Sequence, residues 1–432
     1  MTTADWSCNG LEALQLRLSR SQEDAAALGE EEQRLVEPFA PTFVYPIFGE
    51  EETIFGYQGL NIDYRFASGS LAQYLSITHD SKFPSTGSVD ADDPEKILYE
   101  FIPPSYSKNL QDFTATVDKD AKEFKPVGDK IGSYRIGSSS KPDKGKGKGK
   151  QVEAPCLPER SWEPVASDGA DDEGDGVVYE AFWSNWDTPG FKEFHRRAQI
   201  FVLLYIEGAQ YIDEEDGRWE FVTLFERRTR GGSSTYHFVG YVSFYSFFCW
   251  PDTKRLRLAQ FVLLPPYHGQ GHGSALYDLC YRNILKRADI SELTVEDPSE
   301  TFEDMRDKCD LYTLLSGGDL KGLTAIPTID RVATEAIRKK YKLADRQFYR
   351  LVEMILLLDL AVPVGVAATS SDPAARAFRL TVKRRLYLFN KEQLLQIEDA
   401  QERKDKLQET FEGVVDDYKR LTSKFTGHGN DL

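Results

Sequence analysis

Residues 255–297 constrain this chain more than any other stretch. Leu256, Leu258, Phe261, Val262, Leu263 and Leu264 read as an apolar strand, and Pro265-Pro266 ends it, because proline offers no amide to a ladder. The loop His268-Gly269-Gln270-Gly271-His272-Gly273 then opens a helix at Ser274, on which Leu276, Leu279, Cys280 and Ile284 share one face. A second strand, Leu293-Thr294-Val295-Glu296, follows. A strand, loop, helix and strand in this order point to a mixed α/β core.

A glycine-rich turn feeding a helix N-terminus aims several unpaired backbone N–H groups and the positive end of the helix dipole at one spot, a natural seat for a pyrophosphate. Three glycines at alternate positions are equally compatible with a tight structural turn. The loop lacks the Gly-Lys-Ser/Thr ending of a P-loop, and its spacing is not that of the dinucleotide-binding fingerprint.

A chain of 432 residues exceeds what one hydrophobic core usually supports. Two segments break its globular texture. The run Lys144 to Lys150 alternates lysine and glycine inside a loop over 137–152 that has little to bury. Asp168, Asp171, Asp172, Glu173 and Asp175 form an acidic linker. The expected domains are a mixed α/β domain over 1–165, an α/β domain over 166–318 carrying the glycine loop, and a helical domain over 319–432. In the first, Ile62, Tyr64 and Phe66 alternate with Asp63 and Arg65 as a half-buried strand. In the second, a helix is expected from Phe194 to Ile206, then strands Glu220 to Phe225 and Tyr236 to Phe248, joined by a hairpin through Arg230-Gly231-Gly232. In the third, Phe348, Leu351, Val352 and Ile355 mark one helical face and Leu407, Phe411, Val414, Tyr418 and Leu421 another, both expected to pack on their own domain.

The formal charge of −17 argues against a protein that grips nucleic-acid phosphates and suits a basic partner or substrate. Cys8, Cys156, Cys249, Cys280 and Cys309 contain no C-x-x-C pair, so neither a disulfide framework nor a zinc site is indicated and no metal is expected. The start has no basic region leading into an apolar run, and nowhere do eighteen apolar residues follow one another, so a soluble intracellular protein without membrane contact is expected.

The stretch Gln260-Phe261-Val262-Leu263-Leu264-Pro265-Pro266-Tyr267-His268-Gly269-Gln270-Gly271-His272-Gly273-Ser274, followed by Thr294-Val295-Glu296-Asp297-Pro298-Ser299, resembles the acetyl-coenzyme A motif of GNAT acyltransferases in its type B histone acetyltransferase form. The likeness extends more thinly to Phe48-Gly49-Glu50-Glu51-Glu52, Phe55-Gly56-Tyr57, Arg218-Trp219 and Trp250-Pro251-Asp252. The general GNAT loop opens with Arg or Gln where this chain has His268, so any phosphate contact from that side chain would be weaker or pH-sensitive.

The resemblance implies a GNAT core with acetyl-coenzyme A between two splayed central strands. Backbone groups of Phe261, Val262 and Leu263 would pair with the pantetheine arm and acetyl carbonyl. His268, Gly269, Gln270, Gly271, His272, Gly273 and Ser274 would hold the pyrophosphate, with Ser299 and Lys308 as further contacts. Only about one lysine side chain in a thousand is neutral near pH 7.4, so a base must take the proton as the amine attacks the thioester. Glu296 is the first choice, helped by burial beside Asp297, and Glu207 matches a family carboxylate that could share the task. The bland alternative is that Glu296-Asp297-Pro298 simply ends a strand. Direct attack in a ternary complex is expected, and Cys280, on the buried helical face, is structural.

The implied substrate is a lysine in the N-terminal tail of free, newly made histone H-four. Glu50, Glu51 and Glu52 match an acidic patch for that tail, and Tyr245, Ser246 and Phe247 a strand segment beside it. A WD-repeat histone chaperone is the implied partner, and nucleus and cytoplasm the implied locations. The Lys144 to Lys150 run reads as a linker, with a pseudosubstrate or self-acetylated segment as the alternative. Rival readings are a GNAT enzyme acting on another protein amine or a polyamine, and a catalytically silent histone escort.

Overall fold

The alternation at Ile62, Tyr64 and Phe66 becomes strand geometry: all three are fully buried within Asn61–Ala67, with Asp63 and Arg65 half-buried on the opposite face. The structure is a computed structural model describing residues 6–85, 87, 89–137, 157–165, 175–321, 331–360 and 373–425. The Lys144 to Lys150 run and nearly all of the acidic linker lie outside the described residues. The chain divides into two compact units, one of Met1–Ser138, Ser161–Phe247 and Arg257–Cys280, the other of Ser139–Arg160, Phe248–Leu256 and Tyr281–Leu432.

In the first unit a small sheet sets Leu14–Ser19 (β1) parallel to Asn61–Ala67 (β2), with Gln73–Thr78 (β3) antiparallel on the far side of β2. Helix Leu110–Glu123 (α1), whose first turn is capped by Asn109 accepting from the Gln111 amide, packs Phe113 and Val117 against Ala67 and Tyr74. The main sheet is built from Asp129–Ile136 (β4), Trp162–Pro164 (β5), Gly176–Asn185 (β6), Trp219–Arg230 (β7), Ser233–Cys249 (β8), Thr253–Leu263 (β9) and Ile290–Val295 (β10), in the order β10-β9-β8-β7-β6-β4-β5.

The expected hairpin is present. Arg230 pairs with Ser233, and Gly231 and Gly232 take φ of 54° and 81°, the two positive values a tight two-residue turn needs. Further along, Leu224 pairs with Gly240 but Phe225 with Phe238, which leaves Val239 as a bulge. The Val239 carbonyl accepts the Leu264 amide at 2.9 Å. A Cβ on Gly240 would stand 2.1 Å from the Val262 carbonyl oxygen, so glycine is what lets β9 approach here.

The helix expected from Phe194 to Ile206 is two, Phe191–Ala198 (α2) and Ile200–Tyr205 (α3). Gly190, at φ 80°, starts the first earlier than periodicity suggests, and at the break the Val202 amide turns back three residues to Gln199 at 3.0 Å, tightening the turn. Pro265-Pro266 stops β9 as expected, and helix His272–Lys286 (α4) begins two residues before Ser274. Leu276, Leu279, Cys280 and Ile284 are all buried.

In the second unit, Ser291 and Thr294 of β10 donate to the carbonyls of Lys254 and Leu256 at 3.1 and 3.5 Å. The longer helices described are Glu300–Gly317 (α5), Arg331–Lys340 (α6), Asp345–Leu358 (α7), Pro373–Phe389 (α8) and Ala400–Thr422 (α9). Phe348, Leu351, Val352 and Ile355 of α7 and Phe411, Tyr418 and Leu421 of α9 are buried and pack on their own unit, but Leu407 and Val414 are only half-buried and Val415, which the four-three spacing passes over, is buried in place of Val414. Buried Glu353 joins three helices by accepting from Arg385 at 2.8 and 2.9 Å and from Tyr418 at 2.8 Å. No helix among the described residues is long and apolar enough to cross a membrane.

Candidate active site

The glycine loop has the form of an anion seat. The His268 amide donates back to Pro265 at 3.0 Å and the Ala275 amide to Gly271 at 3.1 Å; between them the amides of Gly269 to Ser274 make no hydrogen bond among the described residues. Gly269 and Gly271 take φ of 75° and 94°; a Cβ on Gly269 would meet nothing within 4 Å, whereas one on Gly271, just before the helix, would stand 2.0 Å from the Ser161 hydroxyl oxygen, so the turn is open at Gly269 and closely packed at Gly271. Backbone N–H groups without partners at a glycine turn fit a pyrophosphate. The His268 ring is turned to the Leu263 carbonyl at 2.7 Å, and the Ser274 hydroxyl donates to Gly271 at 2.9 Å. His272 is buried, its Nδ1 2.7 Å from the Tyr134 hydroxyl, and burial lowers its pKa to about 4, so it is neutral at physiological pH.

Beneath the loop lies a charged network that sequence reading missed. The Tyr267 hydroxyl donates to Glu226 at 2.9 Å, and Arg20 donates to both Glu226 oxygens at 3.0 and 2.9 Å and to the Tyr267 oxygen at 3.0 Å. Burial by itself would raise the Glu226 pKa, but the Arg20 guanidinium outweighs it and holds the carboxyl well below its usual range. Arg228 bridges Glu226 to Glu32, and Arg34 donates to the Pro266 carbonyl at 3.1 Å. The N-terminal segment thus grips the turn that leads into the loop. Tyr267 stands beside the motif, but nothing local tells that its partner is forty-one residues upstream on β7.

Elsewhere in the same unit the candidate acids fall into two groups. Glu50 and Glu51 are exposed. Glu52 is committed to structure: at φ 50° its carboxylate accepts the Val44 and Tyr45 amides at 2.8 and 3.1 Å, at the start of the short helix Tyr45–Phe48. Glu207, exposed just past α3, is tied to this corner because the Gly208 amide donates to the Tyr45 hydroxyl at 2.7 Å. Its loop is also tied to β9, where Gln260, next to Phe261, donates to the Gln210 carbonyl at 3.1 Å. One loop therefore links the acidic corner to the strand carrying Phe261, Val262 and Leu263. Tyr245 donates to Asp216 at 3.1 Å and packs edge-on to Phe247 with ring centres 4.8 Å apart, while Ser246 donates to Glu220 at 3.3 Å.

In the second unit, β10 ends at Val295, and Glu296 and Asp297 are exposed, with Asp297 at φ 32°. The expected burial of Glu296 beside Asp297 is absent in the free chain, because the backbone turns out into solvent there. Ser299 is the N-cap of α5, accepting the Phe302 amide at 3.3 Å, and exposed Lys308 lies 3.9 Å from Asp304. Cys280 is buried and its thiol pushed up by that burial, which suits a core residue and not a nucleophile.

Comparison with known proteins converges on one family. Residues 6–207 match the family described as Histone acetyl transferase HAT1 N-terminus, and residues 307–361 match Fungal HAT1, C-terminal. The histone acetyltransferase type B catalytic subunit of Cryptococcus neoformans is 47% identical over 429 residues, covering 97% of this chain and 98% of the relative. The protein of that name from Rattus norvegicus is 28% identical over 447 residues, covering 98% and 94%. A solved ribosomal-protein-alanine N-acetyltransferase from Brucella melitensis overlaps 30% of this chain and 86% of its own at 17% identity and a TM-score of 0.22. With near-complete coverage at 47% identity behind it, the chain belongs to the family of type B histone acetyltransferase catalytic subunits.

Proposed function

We propose that this acetyltransferase moves an acetyl group from acetyl-coenzyme A to lysines in the N-terminal tail of free histone H-four, by direct attack within a ternary complex. The observation that carries this reading is the row of amides from Gly269 to Ser274 that make no hydrogen bond among the described residues, a seat for the cofactor's pyrophosphate. Bound acetyl-coenzyme A supplies the reactive thioester; the chain's own residues bind, orient and take the proton. Holding both reactants in register supplies much of the acceleration. The exposed carboxylates Glu50 and Glu51, next in sequence to Glu52, whose bond with Tyr45 shares that tyrosine with the Glu207 loop, are suited to a basic tail. Tyr245 and Phe247 offer aromatic surface for its aliphatic stems.

In this reading Glu296 is the principal base, with Glu207 and Asp297 as its reserves, and substrate and cofactor supply the burial that the free chain lacks. Backbone groups of Phe261, Val262 and Leu263 pair with the cofactor arm, and Ser299 and Lys308 contribute further contacts. A WD-repeat histone chaperone is the partner, and the protein works in both nucleus and cytoplasm.

The test is a comparison of coenzyme A release on three acceptors: free histone H-four, the same histone in nucleosomes, and spermidine. Preference for the free histone is expected. Equal or faster turnover of spermidine would move the substrate to polyamines, and tight histone binding without turnover on any acceptor would make the chain an escort.

A further inference from the structure

On the face of the small sheet covered by α1, Arg17 of β1 and Arg65 of β2 are register partners, two guanidinium-bearing residues side by side. Like charges at directly opposed positions destabilise a sheet unless something answers them. Arg65 is answered: its Nε and Nη2 donate to Asp63 at 2.5 to 3.0 Å, and its guanidinium lies 5.6 Å from the centre of the Tyr74 ring. Arg17 makes no ion pair among the described residues, and its Nε is buried without a hydrogen-bond partner. Arg20, whose side chain is fully buried, spends both terminal nitrogens on Glu226 and Tyr267, yet its Nε also lacks an acceptor.

All three arginines border a single cavity of about 220 Å³, which Ser19, Phe113 and Thr114 also line and to which no aspartate or glutamate contributes. Two buried guanidinium N–H groups without acceptors are costly to keep, and the cost stands out in a chain of net charge −17. The guanidinium fork matches a tetrahedral oxyanion in charge and geometry. A space smaller than the roughly 300–1,000 Å³ of drug-sized ligand sites admits such a group and little more.

We infer that this cavity is a second anion site, separate from the cofactor loop, that takes the phosphate group of a small ligand with Arg17 as its principal contact and Arg20 and Arg65 at its margins. The probe is inorganic phosphate, titrated into the full chain already saturated with coenzyme A, against sodium chloride of equal ionic strength. Phosphorus NMR line broadening and thermal unfolding are read together. Saturable binding is expected, weakened by about tenfold or more in Arg17→Gln. Without phosphate, Arg17→Gln should unfold at the wild-type temperature or above it, because an uncompensated charge has been removed. The general stabilising action of phosphate is common to both proteins and cancels in the comparison. Identical responses of wild type and variant overturn the inference, as does loss of the wild-type response when coenzyme A is present. Should the variant fail to fold, crystals of the wild type grown with phosphate decide: density for the anion at Arg17 Nε is expected, and water alone there refutes the site.

Discussion

The Tyr267 hydroxyl donates to Glu226 at 2.9 Å, one residue before the loop proposed to seat the cofactor's pyrophosphate. A fully buried ion pair with Arg20 fixes that acceptor, so the loop is anchored to an element from the far end of the chain. Tyr267→Phe should leave the fold intact and weaken acetyl-coenzyme A binding by about tenfold, equivalent to about 1.4 kcal/mol. Because the hydroxyl positions the loop and touches no reacting atom, the loss belongs in KM for acetyl-coenzyme A, with kcat nearly unchanged. Steady-state kinetics at saturating histone check this split.

Two glycines should fail in different ways. Gly240→Ala drives a Cβ to 2.1 Å from a backbone oxygen that cannot rotate away, so it should destabilise the chain by about 1–3 kcal/mol through forced separation of β8 and β9. Gly269→Ala meets no neighbour and costs the protein about 1–2 kcal/mol for the left-handed backbone alone, but it alters the loop proposed to seat the cofactor. Urea unfolding should report the larger loss for Gly240→Ala. Coenzyme A affinity, measured by calorimetry, should fall in Gly269→Ala even where the protein is fully folded.

His195 is buried among Trp186, Phe191, Phe221 and Tyr241 with neither ring nitrogen hydrogen-bonded, and burial lowers its pKa from 6.5 to about 3. The unfolded chain binds a proton there below about pH 6.5 and the folded chain does not, so this residue's stabilising contribution is complete above that pH and is lost as the pH falls towards 3. The loss approaches about 1.4 kcal/mol per pH unit. His195→Phe removes it, so the stability of the variant relative to wild type should rise by about 2 kcal/mol between pH 7 and pH 5 in urea titrations. A constant difference across that range would mean that His195 takes up its proton in the folded chain as readily as in the unfolded one.

Local periodicity was enough to read the strand at Ile62, Tyr64 and Phe66, the Gly231-Gly232 hairpin, the Pro265-Pro266 stop and the buried face of α4, because each is decided by neighbours within a few residues. The resemblance carried the family. What sequence could not reveal depends on chain segments meeting from afar: Arg20 beneath Tyr267, Tyr134 against His272, and Tyr45 holding the Glu207 loop. The same limit explains Glu52, which looked like a third member of an acidic patch and instead accepts two amides. Glu296 shows the converse: its position at a strand end was legible, but its exposure follows from the backbone turn at Asp297.

The most direct test of the account is coenzyme A release by the purified chain on free histone H-four, run beside Glu296→Gln and Glu207→Gln. An active wild type is expected, with a loss of about a hundredfold or more in kcat for Glu296→Gln, acetyl-coenzyme A affinity unchanged and a smaller loss for Glu207→Gln. Full activity of Glu296→Gln would contradict the assignment of the base, and an inactive wild type that still binds the histone would contradict catalysis on this substrate.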